Sequence, residues 1–554
     1  MKITDRSDLW WKTAVVYCLD VETYMDWNDD GFGDFEGLAH RLDHLAELGV
    51  TCIWLMPFQP TPDRDDGYDI TDFTGVDPRL GSLGDVAEFT RTARDRGMRV
   101  IIDFVMNHTS DRHPWFKSAR RSRTAPFRDY YVWRDEPPKK QAQTVFPGEE
   151  DSVWELDERT GQYFLHSFYR HQPDLNIANP AVRDEIAKTI GYWLELGISG
   201  FRVDAVPFLI EPPEGVDVGD PHEFLRDIRR FLQRRSSDAV LLGEVNLPYD
   251  QQLEFFGRTG DTPELTMQFD FLSMQALYLS LAREDARPLA ASLAQRPELE
   301  PEAQWANFVR NHDELTLDKL SDAERQEVFD AFAPEEWMRV YGRGIARRLP
   351  TMLDGDPRRI RMVYSLLFSL PGTPVLFYGE EIGMGENREE GGRMTVRTPM
   401  QWTDEVNGGF SRATPRKLTA KPPADGYAPE HVNVEAQMHD PESMLGVIRS
   451  FAVRYRSSPE IGWGRFELLN TGQDAVLAHR ITADVGRFVA VHNFAQAPTV
   501  VSLELGDVAE GSVLSDLLAV DTFDLDERGR FDVHLDAYGY RWFRIVEPDD
   551  RRLT

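Results

Sequence analysis

Cysteine is nearly absent. Cys18 and Cys52 are the only two in 554 residues, and both fall in apolar runs that look like buried strands, so they count as small core side chains and not as a disulfide or metal pair. No stretch is long and apolar enough to cross a bilayer, and the opening Met-Lys-Ile-Thr-Asp-Arg-Ser-Asp lacks the apolar core of a secretion signal. These absences lead to the expectation of a soluble, cytoplasmic protein with no membrane partner. Positive charge is short as well: 62 Lys and Arg stand against 94 Asp and Glu, a net charge of −32, which repels nucleic acid and anionic membrane. A neutral small molecule such as a sugar fits better. No block of like charge and no internal repeat breaks the chain, so an acidic tail and a solenoid are both set aside. Self-association into a homo-oligomer stays open.

What is present in quantity is core-forming material, 41% hydrophobic and 11% aromatic residues, enough for one large core and at least one smaller domain. Eight short apolar runs recur with helical stretches between them: Val15 to Leu19, Cys52 to Phe58, Val100 to Val105, Ile198 to Val206, Val240 to Val245, Leu265 to Phe271, Trp305 to Val309 and Pro374 to Tyr378. Eight such strands make the α/β architecture of a (β/α)8 TIM barrel. Polar residues gather at the C-terminal ends of these runs, where active sites of that fold lie: Asp103, Asn107, His108, Arg202, Asp204, Glu244, His312 and Asp313.

Two intervals break the spacing. Residues 109–179 are rich in aromatic and charged side chains and too long for an ordinary connection, which reads as a small inserted domain after the third strand. After residue 455 the pattern alternates with a period of two, in Ala475 to Ile481, Arg487 to His492, Thr499 to Leu505 and Phe531 to Leu535, which predicts a C-terminal β-sandwich over 455–554. The barrel then occupies 1–108 and 180–454.

The polar ends hold the parts for retaining hydrolysis of a glycoside. That reaction needs one carboxylate to attack the anomeric carbon and a second carboxyl, roughly 5 to 5.5 Å away, to protonate the leaving oxygen. Gly200-Phe201-Arg202-Val203-Asp204 supplies Asp204 as nucleophile, with Arg202 two residues earlier on the same strand face to keep it ionised. Glu244 ends the apolar run Leu241-Leu242-Gly243-Glu244, whose surroundings raise the pKa of a general acid. Asn311-His312-Asp313-Glu314 offers Asp313 as a third catalytic carboxylate and His312 to bind sugar hydroxyls.

Taken with Asp103-Phe104-Val105-Met106-Asn107-His108, these segments resemble the four signature regions of the α-amylase superfamily, glycoside hydrolase family 13. Each alone is weak; the four in order are specific. Gln172-Pro173-Asp174-Leu175-Asn176 and Arg397-Thr398-Pro399-Met400-Gln401-Trp402 are similar to motifs of the oligo-1,6-glucosidase and trehalose synthase branch, and the likeness to that branch covers most of residues 8–450. The resemblance implies that Asp65 and Arg397 grip the terminal sugar, that Tyr68 stacks under its ring, and that His108 binds its primary hydroxyl. The substrate it implies is a small α-glucoside. Three segments depart from the trehalose synthase pattern, all bordering the leaving-group side: Glu211 to Glu223, Val245 to Pro248 and Gly385 to Val396.

No organic cofactor is expected; a structural Ca2+ or Mg2+ is. Asp26, Asn28, Asp30 and Asp34 space hard oxygen donors around Gly31 as in the first half of a calcium loop, although Gly37 at the twelfth position excludes a sensor. The alternative is an acidic turn. The resemblance implies a second cation at Asn107, Asp174 and Glu211, against which plain hydrogen bonding is the alternative. Three activities remain: glucosyl transfer within a small glucoside, with maltose to trehalose isomerisation foremost; exo-acting hydrolysis by an α-glucosidase; and an inactive scaffold.

Overall fold

Runs such as Cys-Ile-Trp-Leu at Cys52–Leu55 and Val-Leu-Leu-Gly at Val240–Gly243 are buried at every position, the mark of parallel strands covered on both faces. In the computed structural model, which describes residues 9–139, 142–210, 220–257, 263–506, 508–519, 521–526 and 529–548, eight such strands close into a barrel. In chain order they are Val16–Leu19, Cys52–Leu55, Arg99–Phe104, Gly200–Val203, Val240–Gly243, Met267–Phe269, Gln304–Phe308 and Thr373–Phe377. Each neighbours the next in sequence and the eighth pairs with the first, Val16 opposite Val375. Helices such as Leu83–Asp95 and Pro180–Glu195 form the outer layer. The first of these starts on a capping box in which Ser82 and Asp85 satisfy each other's backbone amides.

Between the third and fourth strands, a three-stranded antiparallel sheet of Trp133–Arg134, Gln162–Leu165 and Trp154–Asp157 stands over the C-terminal end of the barrel. Its aromatic residues pack with the helix Pro114–Ala119 into the core shared with the barrel, the Phe116 and Trp133 rings stacked at 5.7 Å and Phe164 edge-on to both.

The C-terminal part is antiparallel. A six-stranded sheet, ordered Arg465–Leu469, Val476–Ala483, Gly486–Asn493, Tyr540–Val546, Val513–Asp516 and Thr522–Asp524, faces a two-stranded sheet of Thr499–Glu504 and Arg530–Leu535. Val489, Val491, Val501, Leu503, Val533 and Phe543 fill the space between them. The other face of the larger sheet is docked on the barrel helix Pro357–Ser369. His479 Nε2 donates to the Ser369 carbonyl at 2.9 Å, and Ser365 Oγ meets both His492 Nε2 and Trp542 Nε1 at 2.9 Å. Among the described residues no helix is long and apolar enough to cross a membrane.

Candidate active site

Strand register sets the site. Asp103 on the third strand lies opposite Arg202 on the fourth, and Val203 on the fourth lies opposite Gly243 on the fifth. Asp204 and Glu244 are therefore each the next residue beyond one paired position on adjacent strands, which run about 4.8 Å apart. Both carboxyls reach one guanidinium, Asp204 through Arg202 Nη1 and Glu244 through Nη2, which places them together at one site.

One guanidinium joins the acids. The Arg202 side chain is 1% exposed; its Nη1 lies 2.7 Å from Asp103 Oδ1 and 2.6 Å from Asp204 Oδ1, and its Nη2 lies 2.7 Å from Glu244 Oε2. Just past Asp204 the chain turns through Ala205 at φ 45°, a left-handed conformation that costs a residue with a Cβ about 1 kcal/mol. The turn sends the Ala205 N–H to Glu244 Oε2 at 3.2 Å. Burial pushes Glu244 up to about 7 against the pull of Arg202. Asp204 also rises, to about 6, because burial and the nearby Asp103 and Asp313 outweigh Arg202. The guanidinium restrains that rise without reversing it.

Asp313, beyond the seventh strand, goes the other way. Burial would raise it, but His312, Arg393 and Arg397 together hold it well below the usual carboxylate range. Its Oδ1 lies 2.7 Å from Arg393 Nη1 and 3.0 Å from Arg397 Nη2, and its Oδ2 lies 3.1 Å from His312 Nε2. The Tyr68 hydroxyl meets the same His312 nitrogen at 2.6 Å and donates to Asp103 Oδ2 at 3.0 Å, with the two rings stacked at 5.6 Å. Burial lowers His312 against the opposing pull of Asp313, and takes His108 down to about 3, so the His108 imidazole is neutral. His108 Nε2 lies 3.2 Å from the Tyr68 carbonyl.

Asp65 and Arg397 both reach this cluster but do not bind each other. Arg397 pairs with Asp66 and Asp313. Asp65 is held by Arg393 Nη2 at 2.5 Å and by Gln172 Nε2 at 2.8 Å. Arg393 is a site residue that the sequence reading missed. It lies in the segment Gly385 to Val396, and only its position four residues before Arg397 was available as a signal.

Asp65, Tyr68, His108, Asp204, Glu244 and Asp313 line one cavity of about 820 Å3. The inserted domain roofs it. Phe146 and Phe168 line the cavity, Phe146 stacks on Tyr169 at 4.4 Å and lies under the Arg393 guanidinium at 4.9 Å, and the Tyr169 hydroxyl meets that of Tyr341 at 3.3 Å.

The expected cation ligands lie elsewhere. Asp26 accepts from the N–H groups of Asp29 and Gly31 and from Ser411 Oγ, at 2.7, 2.8 and 2.6 Å. Asn28 accepts from the Asp30 N–H and Asp30 from that of Phe32, both at 2.9 Å. Asp34 caps the helix Phe35–His40 through the Gly37 N–H at 2.7 Å. Asp174 accepts from Asn107 Nδ2 at 3.1 Å and from the N–H and hydroxyl of Ser167, and burial pushes it up to about 7. Glu211 lies outside the described residues. Among those residues, no three His, Cys, Asp or Glu side chains come together where they could hold a metal ion.

An adjacent carboxyl pair bridged by one arginine at the end of a closed eight-stranded barrel, with a third carboxylate beside it, defines a retaining glycoside-processing enzyme. The chain belongs to the α-amylase family, glycoside hydrolase family 13. The profile of the α-amylase catalytic domain matches residues 21–333 and 340–463, and that of the sucrose hydrolase-like C-terminal domain matches 486–544. A trehalose synthase of a Pimelobacter species is 42% identical over 98% of this chain and 96% of its own length. A trehalose synthase/amylase of Mycobacterium tuberculosis is 40% identical over 97% of this chain and 90% of its own. Among solved structures, a trehalulose synthase from Pseudomonas mesoacidophila superposes with a TM-score of 0.75 at 25% identity, covering 97% of this chain and 99% of that one.

Proposed function

We propose that this enzyme interconverts maltose and trehalose by transferring a glucosyl group within one cavity. The observation that carries the reading is the Arg202 bridge between Asp204 and Glu244 on adjacent strands. In the first step Asp204 Oδ attacks C1 of the non-reducing glucose. The C1–O bond breaks, Glu244 gives its proton to the departing oxygen, and a glucosyl ester forms on Asp204. In the second step the anomeric hydroxyl of the released glucose attacks C1 from the same side, Glu244 takes its proton, and the ester bond breaks to give trehalose. Asp313, His312, His108, Tyr68, Asp65 and Arg397 hold the glucosyl ring, and Arg393 joins them. Asp313, kept ionised between two guanidiniums, strengthens its hydrogen bonds as the ring flattens toward the oxocarbenium ion.

Hydrolysis is the second reading, favoured by a cavity large enough, at about 820 Å3, to admit water beside a disaccharide. Incubation of purified protein with maltose, with products resolved over time, decides between them. Trehalose ahead of net glucose supports transfer; glucose alone from the first time points leaves an α-glucosidase.

A structural Ca2+ or Mg2+ belongs to the same reading. The oxygen-only donors Asp26, Asn28, Asp30 and Asp34 are of the kind a hard cation takes, and binding one requires them to turn from the loop amides they accept. Asp174, buried and held by the neutral donors of Asn107 and Ser167, suits a second with Asn107. Such ions would brace loops and take no part in the chemistry. A cytoplasmic location is supported by the free, buried thiols of Cys18 and Cys52.

A further inference from the structure

The leaving-group half of the cavity carries an imidazole that the reaction above does not use. We propose that His222 hydrogen-bonds a hydroxyl of the sugar that departs from and returns to the Glu244 side, and so acts as a specificity-determining residue; this rests on the glucosyl-transfer reading.

The barrel's strand order divides the cavity. The fourth and fifth strands, which carry Asp204 and Glu244, lie across the ring from the eighth and first. Asp65, Asp313, Arg393 and Arg397, which hold the glucosyl ring, come from the loops after the second, seventh and eighth strands. The wall after the fourth and fifth strands bears His222, Asn246 and Phe255. Glu244 protonates the bridging oxygen, so the sugar beyond that oxygen rests against this second wall.

His222 is built to present one nitrogen there. It sits at the start of the helix Glu223–Arg235, lines the same cavity as the two catalytic carboxyls, and its side chain is 17% exposed. Its Nδ1 lies 2.7 Å from Glu264 Oε2, and Glu264, whose side chain is 2% exposed, also takes Arg226 Nη1 at 3.1 Å. The Phe255 ring packs against the imidazole at 5.0 Å. A carboxylate on Nδ1 fixes the proton there and aims the other nitrogen, and among the described residues no hydrogen bond is made by Nε2. That atom accepts from a hydroxyl when the ring is neutral and donates when it is charged. The Glu264 bond, with Asp220 and Glu254 nearby, raises His222 against the opposing effect of burial and so favours the charged, donating form. A sugar hydroxyl, donor and acceptor at once, satisfies either. Asn246 stands on the same wall, its Nδ2 donated to Asp318 at 2.9 Å.

The test pairs two variants with two substrates. His222→Phe keeps the ring volume and removes the nitrogen; His222→Gln keeps a polar atom at similar reach. The group expelled from maltose is glucose, whereas that expelled from α-D-glucosyl fluoride is fluoride ion, with no hydroxyl to bind. His222→Phe is expected to lower kcat/KM on maltose by about 10- to 100-fold and to change it on the fluoride by less than about threefold, with a larger share of the glucosyl groups passed to water. His222→Gln is expected to recover most of the loss on maltose. Equal losses on both substrates would reduce His222 to a structural role, and an unchanged maltose rate would overturn the proposal outright. A wild-type protein that turns over neither substrate would sink the transfer reading beneath it.

Discussion

Replacing Glu244 by Gln keeps the shape of the side chain and an oxygen for Arg202 Nη2 to bond, now 2.7 Å from Glu244 Oε2, while removing the transferable proton. The cost depends on the leaving group. Maltose expels a sugar oxygen that needs that proton, and loss of a general acid costs about 10²- to 10⁴-fold. Fluoride leaves without it, so kcat/KM on α-D-glucosyl fluoride, which reports the first step alone, should fall no more than about tenfold, while kcat falls further because Glu244 is also the base of the second step. The pH profile carries the same information. Asp204, raised to about 6, must be ionised, so the rate falls as pH drops through that value; Glu244, raised to about 7, must be protonated, so the rate falls as pH climbs through it. The two share Arg202 and titrate as a pair, which makes kcat/KM on maltose a narrow bell between these values. The variant assayed on the fluoride should retain the acid limb and lose the alkaline one. Initial rates by glucose release and by a fluoride electrode measure both. Equal losses on the two substrates, or an alkaline limb that survives the substitution, would show that Glu244 is not the proton donor.

Asp204→Ala should abolish turnover of maltose and of the fluoride alike, and wild-type rates on both would disprove its place as nucleophile. His479, buried against the Ser369 carbonyl, is depressed from 6.5 to about 4. Its contribution to stability is whole above the unfolded value and is lost as pH falls from there through about 4, roughly 3 kcal/mol in all. His479→Gln, which keeps a donor for that carbonyl, should flatten this part of the acid dependence in denaturant titrations; an unchanged slope relative to the wild type would refute it. Exhaustive chelation should lower Tm by about 5 °C, with recovery on adding Ca2+ or Mg2+. A Tm indifferent to chelator and to both ions would remove the proposed structural cations.

The barrel was readable because a parallel strand covered on both faces is apolar at every position. All eight predicted runs contain or overlap an observed strand, from Val16–Leu19 to Thr373–Phe377. The sandwich was harder. The edge-exposed strands Thr499–Glu504 and Arg530–Leu535 alternate and were found, but Tyr540–Val546, paired on both sides and pressed on a helix through Trp542, shows no alternation to detect. Asp204, Arg202 and Glu244 stood out because strand register turns sequence spacing into proximity. Arg393 did not, since its partners Asp65 and Asp313 are 328 and 80 residues away and its own segment has no period. The acidic loop at Asp26 to Asp34 shows the opposite ambiguity: spacing alone cannot tell carboxylates that accept backbone amides from carboxylates that await an ion.

Arg202 touches both carboxyls at once, and this makes the acid's strength depend on what its neighbour is doing. When Asp204 becomes an ester, its negative charge vanishes. The guanidinium then has one fewer anion to attend to, the repulsion felt by Glu244 falls, and its affinity for a proton drops. The group that had to surrender a proton in the first half of the cycle, and must collect one in the second, is thus retuned between the halves by the covalent bond itself.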